Sequence, residues 1–183
     1  VTAFDNAPLA PVYAYEMLAG DDAKALNKGL EALAMLTQGK VYVGIEPESK
    51  ITVPAGIEVV AFKGDFPACN AGVQAHNIAP VNKGETIWTL NALDVVLMGR
   101  VLLNGRVDMM RTVAVTGSEV SAPAYVRALP GTPVADILKD NLVEADYARR
   151  VISGNVLTGI EGGHHQHDHG DIQENEHQHS ENE

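Results

Sequence analysis

The sequence predicts an α/β fold, and three observations carry that expectation. Residues 21–37 place apolar side chains at three- and four-residue spacing, the period of a helix with one buried face. Two β-branched runs, residues 40–45 and 57–62, follow with a short connection between them. After Arg111 a strand, a strand, a short helix and a strand are outlined in turn. Helix, strand, connection and strand make a layered arrangement, not an all-α bundle. Hydrophobic residues at 45% and charged residues at 20% suit a folded core, and with aromatics at only 5% the packing rests on Val, Leu, Ile and Ala.

Taken in order, Phe4-Asp5-Asn6-Ala7-Pro8-Leu9-Ala10-Pro11 reads as a tethering loop, because each residue before a proline is pushed to extended geometry. Asp21 or Asp22 is expected to cap the first helix, with Leu26, Gly29, Leu30, Leu33 and Leu36 inward and Gly39 as the stop. Residues 40–45 and 57–62 are strands, with turns at 47–50 and 54–56. Together they form a partial, Rossmann-like α/β layer. A loop over 64–72 and a polar approach, Gln74-Ala75-His76-Asn77, lead to a helix over 92–104. Asn91 caps that helix, Leu93, Val96, Leu97, Val101 and Leu103 face inward, and Gly105 ends it. Gly99 in its middle costs about 1 kcal/mol relative to Ala, which makes sense where another backbone passes close.

From Arg111 to Gly117 the pattern alternates like a strand with one exposed face, and residues 124–128 are a second strand. Thr132 is expected to cap a helix over 133–139 with Pro133 in its first position, and residues 149–152 return as a strand. This order outlines a small β-grasp-like unit. The expected division is an α/β domain over 1–108, a β-grasp module over 109–160, and a tail over 161–183. The tail holds Gly, His, Gln, Asn and acids, with Ile172 its one large apolar side chain, so it is expected to be disordered.

Charge narrows the function. The chain carries net −11, but seven acids and no Lys or Arg lie from Glu161 onward, leaving 17 acids against 13 bases before it. No basic stripe points to nucleic acid. The single cysteine, Cys69, excludes a disulfide framework and an all-cysteine cluster. No run approaches the roughly 20 apolar residues of a membrane-spanning helix. The first residue is Val, with no signal segment after it, so the chain is expected to begin inside a larger protein.

Candidate chemistry is sparse. The loop over 64–72 follows a strand, as phosphate-binding loops do, but lacks G-x-G-x-x-G and the P-loop Lys, and Pro67 removes a donor. It reads as a strand-to-helix connection. His76, the one histidine before the tail, is a hydrogen-bonding surface residue or a polar group beside a ligand or a subunit boundary, and alone it is too few ligands for zinc. Cys69 has no His or Lys near it in sequence to lower its pKa and reads as a small filler. Trp88 is a core aromatic in preference to a stacking surface. His164, His165, His167, His169, His177 and His179 give the tail weak chelating ability by composition alone. Catalytic, cofactor and metal residues are therefore all expected to be none.

Several separated motifs go further: Phe62, Gly64, Pro67-Ala68, Gly72, His76, Pro80-Val81, Trp88-Thr89-Leu90-Asn91, Asp94-Val95 and Gly99, then residues 112–117, 129–131 and 150–159. With these the chain resembles the A-subunit family of the bacterial sodium-translocating NADH:quinone oxidoreductases, as an internal fragment covering about residues 3–159. The resemblance implies a peripheral subunit on the cytoplasmic face of the inner membrane that contributes to quinone interaction and complex assembly. It implies no redox centre here. Ubiquinone or menaquinone belongs to the full subunit, and NAD, FMN or FAD and iron–sulfur clusters belong to partner subunits, of which a membrane-embedded one is the expected neighbour. The module after Arg111 is similar to the soluble-ligand-binding β-grasp unit of that family. Pro67, Gly72, His76, Trp88 and Asn91 are the candidate quinone or subunit interface, and the fragment alone is expected to be inactive as an enzyme. The alternatives are a free-standing β-grasp module binding a small ligand or partner, and a metal-buffering protein working through its tail.

Overall fold

The computed structural model describes residues 1–11, 18–147 and 149–162, and the element order is helix, two strands, two helices, two strands, helix, two strands. Helix α1 (Asp21–Leu36) precedes strands β1 (Tyr42–Ile45) and β2 (Glu58–Ala61), which pair in parallel with Val43 opposite Val59. Helices α2 (Ala71–Ile78) and α3 (Ala92–Asn104) follow. The expected disorder and chelation of the tail fall on residues 163–183, outside the described residues.

The first three residues, ahead of the loop expected over residues 4–11, join the sheet. Thr2 bridges in parallel to Gly44 on one side and to Asn91 on the other. Gly44 N donates to the Val1 carbonyl at 2.8 Å and Ala3 N to the Gly44 carbonyl at 2.9 Å, while Thr2 N donates to the Leu90 carbonyl at 2.9 Å. The first residues are thus a parallel rung between β1 and the approach to α3, and Ala3, Phe4 and Ala7 are buried. Residues 4–11, expected as a loop, carry no helix or strand, and Ala10 N closes a turn on the Ala7 carbonyl at 3.1 Å.

Strand alternation sorts the two faces of this sheet. Val43 and Ile45 point into the core formed with Leu26, Leu30 and Leu33 of α1 and Ala92, Val95 and Val96 of α3. Each fully buried Leu or Val there stabilises the fold by about 1.5–3 kcal/mol. Gly44 points the other way, against Gln74 of α2. Where α1 and α3 cross, both give up a side chain: a methyl group on Gly29 would meet the Val95 carbonyl and one on Gly99 would meet the Ala25 carbonyl. The close backbone expected at Gly99 is α1.

The predicted helix over 92–104 is found with its caps: the Asn91 side chain accepts from Leu93 N, and Gly105 takes the left-handed conformation at φ 66°. Its buried face differs from expectation, being Ala92, Val95, Val96, Leu97, Gly99 and Arg100, while Leu103 is 52% exposed. Burial of Arg100 rotates the face. Its guanidinium donates Nε and Nη2 to the two Asp22 oxygens at 2.8 Å each and Nη1 to the Met110 carbonyl at 2.6 Å. Asp22 is therefore spent on Arg100 and Asp21 on Lys24, so neither caps α1, whose N-cap is Gly20 without a side-chain bond. Nor does Gly39 end that helix, since Thr37 already turns to extended backbone.

Beyond the linker, β3 (Arg111–Val115) and β4 (Ala124–Ala128) pair antiparallel, with Val113 opposite Val126. Helix α4 (Val134–Leu138) follows with Pro133 at its N-cap, and Thr132 donates its hydroxyl to the Leu129 carbonyl instead of capping. Strand β5 (Val151–Ser153) begins two residues later than expected and pairs antiparallel with β6 (Ile160–Gly162). Sequence reading misses β6, which takes in Glu161 and Gly162, the first two residues assigned to the tail. Among the described residues the sheets are three separate two-stranded pairs, and no helix is long and apolar enough to cross a membrane.

Candidate functional site

Helix α2 is the element that sequence reading leaves out, and it builds the site. Asn70 caps it, accepting from Gly72 N at 2.8 Å. The loop before it is sewn to the opening residues: Asn6 Nδ2 donates to the Gly64 carbonyl at 2.9 Å, and Cys69 N donates to Asn6 Oδ1 at 3.2 Å. Gln74 then seats the helix on the sheet. It is 4% exposed, takes a bond from the Thr2 hydroxyl at 3.3 Å, and gives its Nε2 hydrogens to the Ala68 and Cys69 carbonyls at 3.3 Å each. A side chain at position 44 would occupy the same space.

This packing leaves a cavity of about 580 Å³ beside α2. One wall is the face of α2 that carries Ala71, Gln74, Ala75 and Ile78. The lining also takes in Thr2, Tyr42 and Gly44, then Leu33, Leu36 and the turn over 37–41, and the segment over 86–90 with Ile87 and Trp88. Trp88 is 79% exposed, against the expectation of a core aromatic. The physical reason is that the segment over 79–89 runs along the surface with no secondary structure of its own, so the indole lies on the cavity rim rather than between layers. Leu36, 70% exposed, stands on the same rim.

Charge at the cavity is light. Lys40 Nζ sits 2.6 Å from a Glu58 oxygen, and the hydrogen bond and charge of Glu58 hold its ammonium above the usual lysine range. The Val1 nitrogen donates to the Tyr42 carbonyl at 2.6 Å. Helix α1 presents its C-terminal end here, at residues 36–37, whereas α2 lines the cavity along its whole length, from Ala71 to Ile78. The arrangement is suited to holding an apolar molecule.

The candidate residues are scattered relative to it. Trp88 lines the cavity, whereas Pro67, Gly72, His76 and Asn91 do not. Gly72 and His76 lie on the solvent side of α2, Pro67 is exposed in the loop before it, and Asn91 is the cap of α3. Cys69 is half-buried with its thiol directed to Asp5 Oδ1 at 3.4 Å, and burial first, with the Asp5 carboxylate adding to it, pushes the thiol above its ordinary value. That is the opposite of an activated nucleophile. Among the described residues no group of three or more His, Cys, Asp or Glu side chains is placed to hold a metal. The missed residues, Ala71, Gln74, Ala75 and Ile78, carry a legible signal: a one-sided i, i+3, i+4, i+7 row directly after a capping Asn.

Comparison with known proteins follows the same two regions. The family model described as the NqrA second alpha/beta domain matches residues 1–107, and that described as the NQRA C-terminal domain matches residues 112–161. Similar curated proteins include the A subunit of the Na(+)-translocating NADH-quinone reductase of Marinomonas sp., 38% identical over 159 residues, covering 87% of this chain and 35% of the relative. The corresponding protein from Neisseria meningitidis serogroup C is 38% identical over 172 residues, 90% of this chain and 37% of the relative. That of Saccharophagus degradans is 34% identical over 161 residues, 87% and 35% respectively. The chain thus spans about a third of the length of the curated relatives it matches.

Proposed function

The chain belongs to the NqrA family, and on that premise we propose that it is part of the A subunit of a Na(+)-translocating NADH-quinone reductase, serving quinone interaction and complex assembly without a redox centre of its own. The observation that carries the quinone part is the cavity beside α2. Quinone sites are apolar clefts with a few polar groups, and small-molecule pockets run to roughly 300–1,000 Å³. The cavity, at about 580 Å³ and mostly apolar in its lining, falls within that span. Trp88 stays in the proposed interface, while Pro67, Gly72, His76 and Asn91 fit a subunit boundary better than a ligand contact.

In this reading NAD, flavin and iron–sulfur centres belong to partner subunits, a membrane-embedded subunit is the neighbour, and the chain lies peripherally on the cytoplasmic face. The division at about 108, with a Rossmann-like part before it and a β-grasp module after it, is supported by the parallel pairing of β1, β2 and the first residues, and by the order β3, β4, α4, β5. The test is photolabelling of the whole complex with an azidoquinone, followed by peptide mapping. Label on residues 71–90 is expected. Label confined to other subunits would overturn the quinone part, and failure of the protein to co-purify with the other subunits would overturn the assembly part.

A further inference from the structure

The first three residues lie between two segments that both run on beside the cavity. Towards β1, Ala3 N donates to the Gly44 carbonyl, Gly44 N to the Val1 carbonyl, and the Val1 nitrogen to the Tyr42 carbonyl. On the other side, Ala92 N donates to the Thr2 carbonyl and Thr2 N to the Leu90 carbonyl. A parallel ladder spaces its bonds evenly along both neighbours. The next donors in line are therefore Tyr42 N and Leu90 N, and among the described residues neither has an acceptor. The next acceptors in line are the Lys40 and Trp88 carbonyls. Both flanks line the cavity, Lys40, Val41 and Tyr42 from one and Trp88, Thr89 and Leu90 from the other.

Helices border the same space. Val1 and Ala3 pack with the core of α1 and α3, whereas the Thr2 hydroxyl bonds Gln74 of α2. Leu33 and Leu36 of α1 line the cavity, as do Ala71, Ala75 and Ile78 of α2. A strand that continued this alternation would set one side chain towards α2 and the next towards α1. Lying between helices, it would be apolar on both faces, as strands of parallel sheets are. The matching family model is that of a second alpha/beta domain, and the chain spans about a third of its relatives, so the subunit has sequence to supply such a strand.

We propose that the cavity seats a β-strand formed by the residues directly ahead of Val1 in the whole subunit, running parallel to β1 between it and residues 88–90. The residue before Val1 bonds Trp88 and Leu90 and turns its side chain to α2. The one before that bonds Lys40 and Tyr42 and turns its side chain to α1. This goes beyond the quinone reading and does not rest on it. With the strand in place, the rim at Leu36 and Trp88, 70% and 79% exposed, is the part left to a ligand.

Amide hydrogen exchange tests this, read at single residues in the chain beginning at Val1 and in the whole subunit. In the chain, Tyr42 and Leu90 are expected to exchange fast, and Ala3 and Gly44 slowly. In the whole subunit, Tyr42 and Leu90 are expected to slow by about tenfold or more, as new hydrogen bonds require. Equal rates at Tyr42 and Leu90 in the two proteins overturn the proposal. Slowing that appears only when another subunit or a second copy is added assigns the strand to a different chain, and overturns it as well. Ala75→Leu gives an independent reading. In the chain beginning at Val1 the longer side chain has room in the cavity, and the thermal midpoint is expected to hold within error. In the whole subunit it meets the strand, and overpacking is expected to lower the midpoint by roughly 2–4 °C. The same shift in both proteins overturns the proposal. Neither measurement involves a quinone, so either outcome is independent of the quinone reading.

Discussion

The crossing of α1 and α3 is tight enough to predict the effect of adding one carbon. In Gly99→Ala the new methyl has no free space: it meets the carbonyl, the carbonyl carbon and the Cα of Ala25. Backbone cannot rotate out of the way as a side-chain tip does, so the helices must move apart and loosen Leu26, Leu30, Val95 and Val96. Overpacking of this kind costs about 1–3 kcal/mol, rising where backbone must shift, whereas Ala returns about 1 kcal/mol of helix propensity over Gly. The upper part of the range applies here because the overlap is with main chain, giving a net loss of about 2 kcal/mol. For a chain of this size that lowers the thermal midpoint by roughly 4–8 °C. Urea unfolding followed by far-ultraviolet circular dichroism measures it, with the slope unchanged if only the native state is strained. Pairing Gly99→Ala with Ala25→Gly should not rescue it, since the obstacle is the position 25 carbonyl. A Gly99→Ala protein more stable than wild type would mean that propensity wins and that the two helices do not approach this closely.

Arg100→Ala should destabilise by about 2–4 kcal/mol, because it strands Asp22 and frees the Met110 carbonyl, and faster amide exchange over 108–111 would distinguish this from a simple loss of packing. The Cys69 thiol should alkylate more slowly than in the unfolded chain near neutral pH, with its pH–rate profile displaced upward. Asp5→Asn should return it only in part, since burial is the larger cause, and a profile at or below that of the unfolded chain would refute the assigned environment. Deleting residues 163–183 should leave the thermal midpoint within error and remove most zinc binding, as composition implies; a clear drop in midpoint would mean the tail packs on the fold.

What is legible in the sequence is local. Asn91 and Gly105 bracket α3 because a capping side chain and a left-handed terminus act within a few residues of themselves. The two β-branched runs become β1 and β2 for the same reason, each two residues shorter than expected. Expectations fail where a distant residue competes for the same group. Asp22 has the chemistry of a cap, but a bidentate pair with a buried guanidinium, 78 positions away, is the stronger claim on a carboxylate. Thr132 is lost instead to a local competitor, turning its hydroxyl to the Leu129 carbonyl within its own turn. In the first residues the pairing of Thr2 with Gly44 and Asn91 is not legible, because pairing depends on which strands lie alongside.

The site is hidden for a further reason, which also accounts for the exposure of Trp88. A ligand cleft is made by what is absent between elements, and periodicity reports only what each element buries. Ala71, Ala75 and Ile78 form a row too weakly apolar to compete with the polar Gln74, His76 and Asn77 that interrupt it, so the helix reads as an approach loop. Yet Gln74 is the residue whose burial makes the row a wall: its amide is satisfied by Thr2, Ala68 and Cys69, and the same amide fills the space that Gly44 leaves. A buried glutamine with its partners already in hand costs little and fixes α2 at one height above the sheet. Exposure of the chain's only tryptophan is then the informative observation, since a large aromatic left on the rim of an apolar cleft is surface that binding would bury.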